Sequence, residues 1–566
     1  MAQFDTLVMG GIVIDGRRNP RSRADVAIKD GRIAAVGRLD PSDAERVVDA
    51  TGLIVAPGFV DLHTHYDAQI FWDPYCTISA YHGVTSLVIG NCGFGFAPVK
   101  PEDRDYAMRT LNRVEQVPYE SIKAGMPWKW ETFPEFLDAL DATPKGVNVL
   151  PYVGVNPLLN YVMGKEAAKS RPPTEEEHRR IAATFEEALE AGACGWSAMR
   201  TPPGSFASNH RDHDGTPFAS NVMGDETAFL LSAVMNERGA GFTQLTIGTE
   251  DLEADNRHVE KLAEIGGRPI LWNSLFPDGD MPEFHRSYQQ WFNRCRERGL
   301  PLYCQGMTVE TTLTFSLDDW ALWDHDDAWR EALVGDTGHR IAALSDTGLR
   351  ERLKKQPPIL YPPELIRLAG TQHPDFKPYV NLPLTEIAVK LGKHLIDALL
   401  DISLAEDLAT IWEVPLRPPP ADEHLREIVQ DPFVIPGVSD GGAHAKISTM
   451  ARFPTEHIQR YVREKQWLTL EEMHWKISAL PAWMAGFHDR GTIVPGAPAD
   501  LVVYDFENLK VLPPEVEHDL PGGEWRRVQR AEGYRYVLVN GVVTFQDGQC
   551  TRATPGRLLR HGVGTD

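Results

Sequence analysis

Short apolar runs rich in β-branched residues recur along the chain, most of them bounded by glycine, proline or asparagine. In the first 57 residues they fall at 6–9, 11–14, 26–29, 32–36 and 53–55. Asp30-Gly31 joins two of them, and this dipeptide between apolar segments is a strong hairpin signal. A small all-β region is therefore predicted first. Further on, apolar runs at 84–89, 147–153, 194–197, 241–246, 269–272 and 302–305 are separated by longer stretches. One of these, 175–191, has the charged, amphipathic period of a helix. Such alternation implies parallel strands with helices outside them.

Between about 315 and 430 the pattern is irregular, Pro-rich and helical only in patches, as at 385–400. It reads as an excursion from the core, a lid over a site. A further apolar run at 432–436 leads into Gly437-Val-Ser-Asp440, and the chain ends in short strands at 499–504, 536–539 and 542–545. Small β segments at both ends predict a composite β domain from 1–57 and 487–566, interrupted by a barrel over 58–486. A chain of 566 residues has room for both.

Composition narrows the partners. A 42% hydrophobic content supports a large core, and a net charge of −23 argues against nucleic acid and against an anionic membrane surface. A small-molecule substrate is expected instead, and a homo-oligomer is left open. The six cysteines are scattered without a CxxC, which suggests reduced thiols in a cytoplasmic protein. The first residues lack the basic and apolar regions of a signal peptide, and no window is apolar enough to span a bilayer.

The chemistry is concentrated after Pro57-Gly58, where an apolar strand ends in His63-Thr64-His65. Side chains two apart on a strand share a face, so both imidazoles can grip one metal ion. Asp61 and Asp67 flank them and are placed to fix the imidazole tautomers. An isolated HxH is more often a pair of polar residues at a strand end. Here the punctuation before it, the strand leading into it and the flanking carboxylates argue for a metal.

Five segments together resemble the amidohydrolase superfamily, and within it the N-acyl-D-amino-acid deacylase (D-aminoacylase) branch. They are PGFVDLHTHYD at 57–67, GVTSLVIGNCGFGFAP at 83–98, GVSDGGAHA at 437–445, RGTIVPGAPADLVVYD at 490–505 and YVLVNG at 536–541. The resemblance implies an α/β fold, a distorted (β/α)8 TIM barrel beside a small β-sandwich, with the metal site at the C-terminal ends of the barrel strands. It implies His63 and His65 as ligands, Cys92 as a further ligand, and Asp440 as the last-strand aspartate that binds metal and carries protons. Two further metal-binding histidines of the family align with Gln244 and Asn273, which points to one zinc ion rather than two. His444, His210 and His213 are the candidate substitutes.

The activity implied is hydrolysis of the amide of an N-acyl amino acid, with the D configuration among the alternatives, through a metal-activated water. Lys446, Arg452 and Arg200 are candidates for holding the substrate carboxylate. Other readings are an amidohydrolase acting on another amide, a cyclic amide or an ester, and a catalytically silent scaffold of the same fold.

Overall fold

The computed structural model describes residues 2–201, 210–249, 251–278, 281, 283–321, 323–324, 326–355, 362–415 and 420–562. Eight parallel strand positions form a barrel: Phe59–Asp61, Val84–Ile89, Asn148–Pro151, Gly195–Arg200, Phe242–Ile247, Ile270–Leu275, Leu302–Gly306 and Val434–Pro436. The third continues as Val153–Gly154, which pairs with the fourth. A parallel bridge between Thr64 and Gly441 brings the first strand against the eighth. Barrel strands are covered on both faces, as in Val84–Ile89, where every residue, Thr85 and Ser86 included, is buried.

The helix predicted at 175–191 forms over Glu175–Ala191. Thr174 accepts from the Glu177 amide while Glu177 caps back, and Gly192, at φ 111°, ends it. Its inner face buries Ile181, Phe185, Ala188 and Leu189. Each of the larger side chains contributes about 1.5–3 kcal/mol by leaving water.

Strands from both ends of the chain join in one nine-stranded sheet. Leu501–Tyr504 from the C-terminal part pairs with Ile54–Pro57 from the N-terminal part, and Val8, Val26, Val55, Leu501 and Val503 share a core. The hairpin at Asp30-Gly31 forms with φ of 51° and 75°. The two short strands expected at 6–9 and 11–14 are one, Phe4–Val13. Gly10, at φ 74°, introduces an irregularity in the pairing between Val8 and Gly11 instead of a turn.

The described part of the excursion is a packed module. Thr312–Phe315, Ile411–Pro415 and Arg367–Gly370 make an antiparallel sheet, over a core containing Trp320, Trp323, Trp329 and Trp412. The helical patch expected at 385–400 is two helices, Leu384–Leu391 and Leu395–Leu404, parted at Gly392 with φ 64°. Arg113 holds both carboxylate oxygens of Asp324 at 2.5 and 2.6 Å, and Gln116 donates to the Asp319 carbonyl at 2.7 Å. These contacts fasten the module to the helix Arg104–Glu115. Among the described residues, no helix is long and apolar enough to cross a membrane, and the six cysteines are free.

Candidate metal centre

The first barrel strand delivers His63 and His65 to its C-terminal end, and the turn after the second strand delivers Cys92. One ligand atom from each lies within 4.8 Å of the others, with Cys92 Sγ at 3.4 Å from His63 Nε2. The Cys92 turn is built for this placement. Gly90 and Gly93 take φ of 81° and 83° on either side, and a Cβ on Gly90 would meet the Tyr152 carbonyl at 2.8 Å. Ser197 from the fourth strand accepts from the Gly93 amide at 3.0 Å, and Asn91 donates to the Thr64 carbonyl at 3.1 Å.

Asp440 follows the eighth strand and places Oδ1 at 3.2 Å from His63 Nε2 and 3.8 Å from His65 Nε2. Ser439 holds the loop through its hydroxyl, which lies 2.7 Å from Asp61 Oδ2 and 2.8 Å from the His63 carbonyl oxygen. Cys92, Asp440 and His444 all sit in the left-handed region, at φ 57°, 46° and 50°. Such conformations cost a non-glycine residue about 1–3 kcal/mol each. That three of them meet here marks a place where side-chain aim outweighs backbone comfort.

Burial pushes His63 down to about 4 and holds His65 well below the usual imidazole range. Burial, with Asp61 adding to it, pushes the Asp440 carboxyl up to about 7. Burial alone does the same to Asp61 and Asp67. Burial thus drives both partners of the His63–Asp440 approach toward their neutral forms. Buried carboxylates survive by being paired or by coordinating a metal, and two imidazoles, a thiol and a carboxylate form a donor set that suits zinc. His65 Nδ1 and Asp67 Oδ2 are buried without a hydrogen-bond partner.

Gln244 and Asn273 are also in place, and both brace the site. Gln244 accepts from the Cys92 amide at 2.7 Å, and the Asn273 amide meets His63 Nδ1 at 2.6 Å and Gln305 at 2.7 Å. A primary amide presents an acceptor as readily as a donor, so Asn273 can take the Nδ1 proton and leave the Nε2 lone pair free. His444 joins the cluster, with Nδ1 at 2.7 Å from Gln116 Oε1. His210 lies close enough for His444 to contribute, after burial, to a downward push to about 3. His213 instead meets Asp212 at 3.0 Å.

The three cations chosen from the sequence are each committed to a carboxylate: Lys446 to Glu524 at 3.0 Å, Arg452 to Glu456 at 2.8 Å and Arg200 to Asp225 at 2.9 Å. A cavity of about 310 Å³ over Asp440 is lined by Arg526 and Arg527. A larger cleft of about 470 Å³ begins at Phe94 and Gly95, just past the Cys92 turn. It runs along Tyr106, Thr110 and Leu111 of the helix Arg104–Glu115.

Sequence reasoning missed Glu115. This carboxylate ends the helix Arg104–Glu115 and reaches His65 Nδ1 at 3.4 Å and His444 Nε2 at 3.8 Å. A signal was present: a negative charge in the last turn opposes the helix dipole, and here it lies between Val114 and Val117.

A parallel barrel with an imidazole, thiol and carboxylate cluster beyond its strand ends defines a class of hydrolytic barrels. The family model described as Amidohydrolase family matches residues 46–332 and 408–545, and the chain belongs to that family. D-aminoacylase of Alcaligenes xylosoxydans xylosoxydans is 28% identical over 563 residues, covering 98% of this chain and 97% of its own. N-acyl-D-glutamate deacylase of the same organism is 28% identical over 568 residues, covering 99% and 97%. The solved N-acyl-D-glutamate deacylase from Bordetella bronchiseptica, complexed with zinc and a phosphonate mimic of the tetrahedral intermediate, is 25% identical. It superposes with a TM-score of 0.69 over 99% of this chain and 100% of that one.

Proposed function

We propose that the chain is a zinc-dependent hydrolase that cleaves the amide bond of an N-acyl amino acid. The observation that carries this reading is the convergence of His63, His65, Cys92 and Asp440 on one buried point, in a chain whose full-length relatives act on N-acyl-D-amino acids. His63, His65, Cys92 and Asp440 are the residues that hold the metal. One ion is proposed, because Gln244 and Asn273 are spent on holding the Cys92 backbone and the His63 ring.

When bound, the metal lowers the pKa of a water and polarises the amide carbonyl. Asp440 removes the proton from the attacking water as its oxygen bonds to the amide carbon. The same carboxyl then gives that proton to the departing nitrogen as the carbon–nitrogen bond breaks. Arg527, at the cavity over Asp440, is the better-placed cation for the substrate carboxylate. The described part of the module between 312 and 415 is fastened to the helix bearing Glu115, which supports its reading as a cover over the site. The six free thiols, with Cys92 in the site itself, suit a reducing compartment such as the cytoplasm.

The test is a panel of N-acetyl-D- and N-acetyl-L-amino acids with acidic, neutral and aromatic side chains, read by release of the free amine. Turnover of at least one D substrate is expected. Activity confined to cyclic amides or esters would replace this reading with another amidohydrolase reaction.

A further inference from the structure

We infer that Glu115 is a positioning residue of the metal centre, acting through His65. This rests on the proposed role of His65 as a ligand. Glu115 comes from outside the barrel strands, on the helix Arg104–Glu115, and its side chain is 6% exposed. Among the described residues no lysine or arginine pairs with it. The basic atoms within 4 Å are His65 Nδ1 at 3.4 Å and His444 Nε2 at 3.8 Å.

His65 shows the complementary need. Its Nε2 faces Asp440 at 3.8 Å, while its Nδ1 is buried without a hydrogen-bond partner. A ligating imidazole must keep its lone pair on the metal side and its proton on the other nitrogen, and a carboxylate behind the ring fixes both. Glu115 is the carboxyl group behind His65, with Oε1 at 3.4 Å from Nδ1. His63 is held differently, by the neutral amides of Asn273 and Gln305 at 2.6 and 3.3 Å from Nδ1. The two histidines of the HxH therefore have unequal backing, amides behind His63 and a carboxyl group behind His65.

The mounting of Glu115 is rigid. The Glu115 carbonyl accepts from the His444 amide at 2.6 Å, Gln116 meets the His444 ring at 2.7 Å, and Arg113 anchors the same turn to Asp324. Glu115 is thus fixed between the helix and the loop that carries Asp440.

The experiment is a zinc titration against a chromophoric chelator on the full chain, using wild type, Glu115→Gln, His65→Ala and the double variant. Glu115→Gln is close to isosteric, and thermal unfolding of the metal-free proteins checks that each is folded. Zinc binding is expected to weaken about 10–100-fold in Glu115→Gln. In the His65→Ala background the same change is expected to cost nothing further, because the two residues act as one unit. Unchanged affinity in folded Glu115→Gln, or a full additive loss in the double variant, overturns the assignment while leaving the metal site intact. Absence of zinc binding in wild type would overturn the ligand reading itself, and this inference with it.

Discussion

Two clusters of histidine and carboxylate in this chain look alike on paper and differ in their charge balance. At the barrel mouth, His63 and His65 meet Cys92, Asp440 and Glu115, and no lysine or arginine pairs with either carboxylate among the described residues. On two outer helices, His285, His424 and Glu427 also bring ligand atoms within 4.8 Å of one another. There, however, Arg286 takes both oxygens of Glu427, at 2.9 and 2.8 Å, and His285 takes a third hydrogen bond at 2.8 Å. The outer carboxylate already has its cation, and Arg286 and His285 hold its pKa down to about 2. The inner carboxylates have none, and burial pushes them upward. Proximity of ligand types is therefore a weak criterion for a metal site, and missing positive charge is the stronger one.

The largest effect that sharpens the contrast is catalytic. Asp440→Asn keeps the shape and removes the base, so kcat is expected to fall about 10²–10⁴-fold with the fold intact, measured by amine release and circular dichroism. Near-normal turnover would remove Asp440 from proton transfer. On the outer cluster the expected effect is structural and smaller. Glu427→Gln should lower Tm by about 1–2 °C and leave metal content unchanged, measured by calorimetry and elemental analysis.

The smallest effect is in the pH dependence of that difference. The folded-state pKa of Glu427 is depressed to about 2 from an ordinary value of 4.5. Its contribution is therefore complete above about pH 4.5 and lost as pH falls through about 2. Wild type and Glu427→Gln should converge in Tm across that window. A constant difference would mean that the Arg286 contact adds nothing through charge.

Much of the fold was legible because its signals are local. Val84–Ile89 and Glu175–Ala191 declare themselves by period and capping, and Asp30-Gly31 by turn chemistry. The candidate ligands at strand ends were legible for the same reason, since HxH on one strand needs no knowledge of the rest of the chain. Glu115 was not, because its role depends on where a helix outside the barrel strands comes to rest against His65 and His444. The committed state of Lys446 and Arg200 was equally hidden, since Glu524 and Asp225 lie well away in sequence, whereas Arg452 pairs with Glu456 only four residues on. Gln244 and Asn273 read as losses in the sequence, while the structure shows them bracing Cys92 and His63.

The most direct test is metal content per chain in three purified proteins: wild type, His63→Ala/His65→Ala, and His285→Ala/His424→Ala. About one zinc per chain is expected in wild type and in the outer-cluster variant, and none in the barrel-mouth variant. No metal in wild type after zinc loading, or loss of metal from the outer-cluster variant alone, would contradict the account.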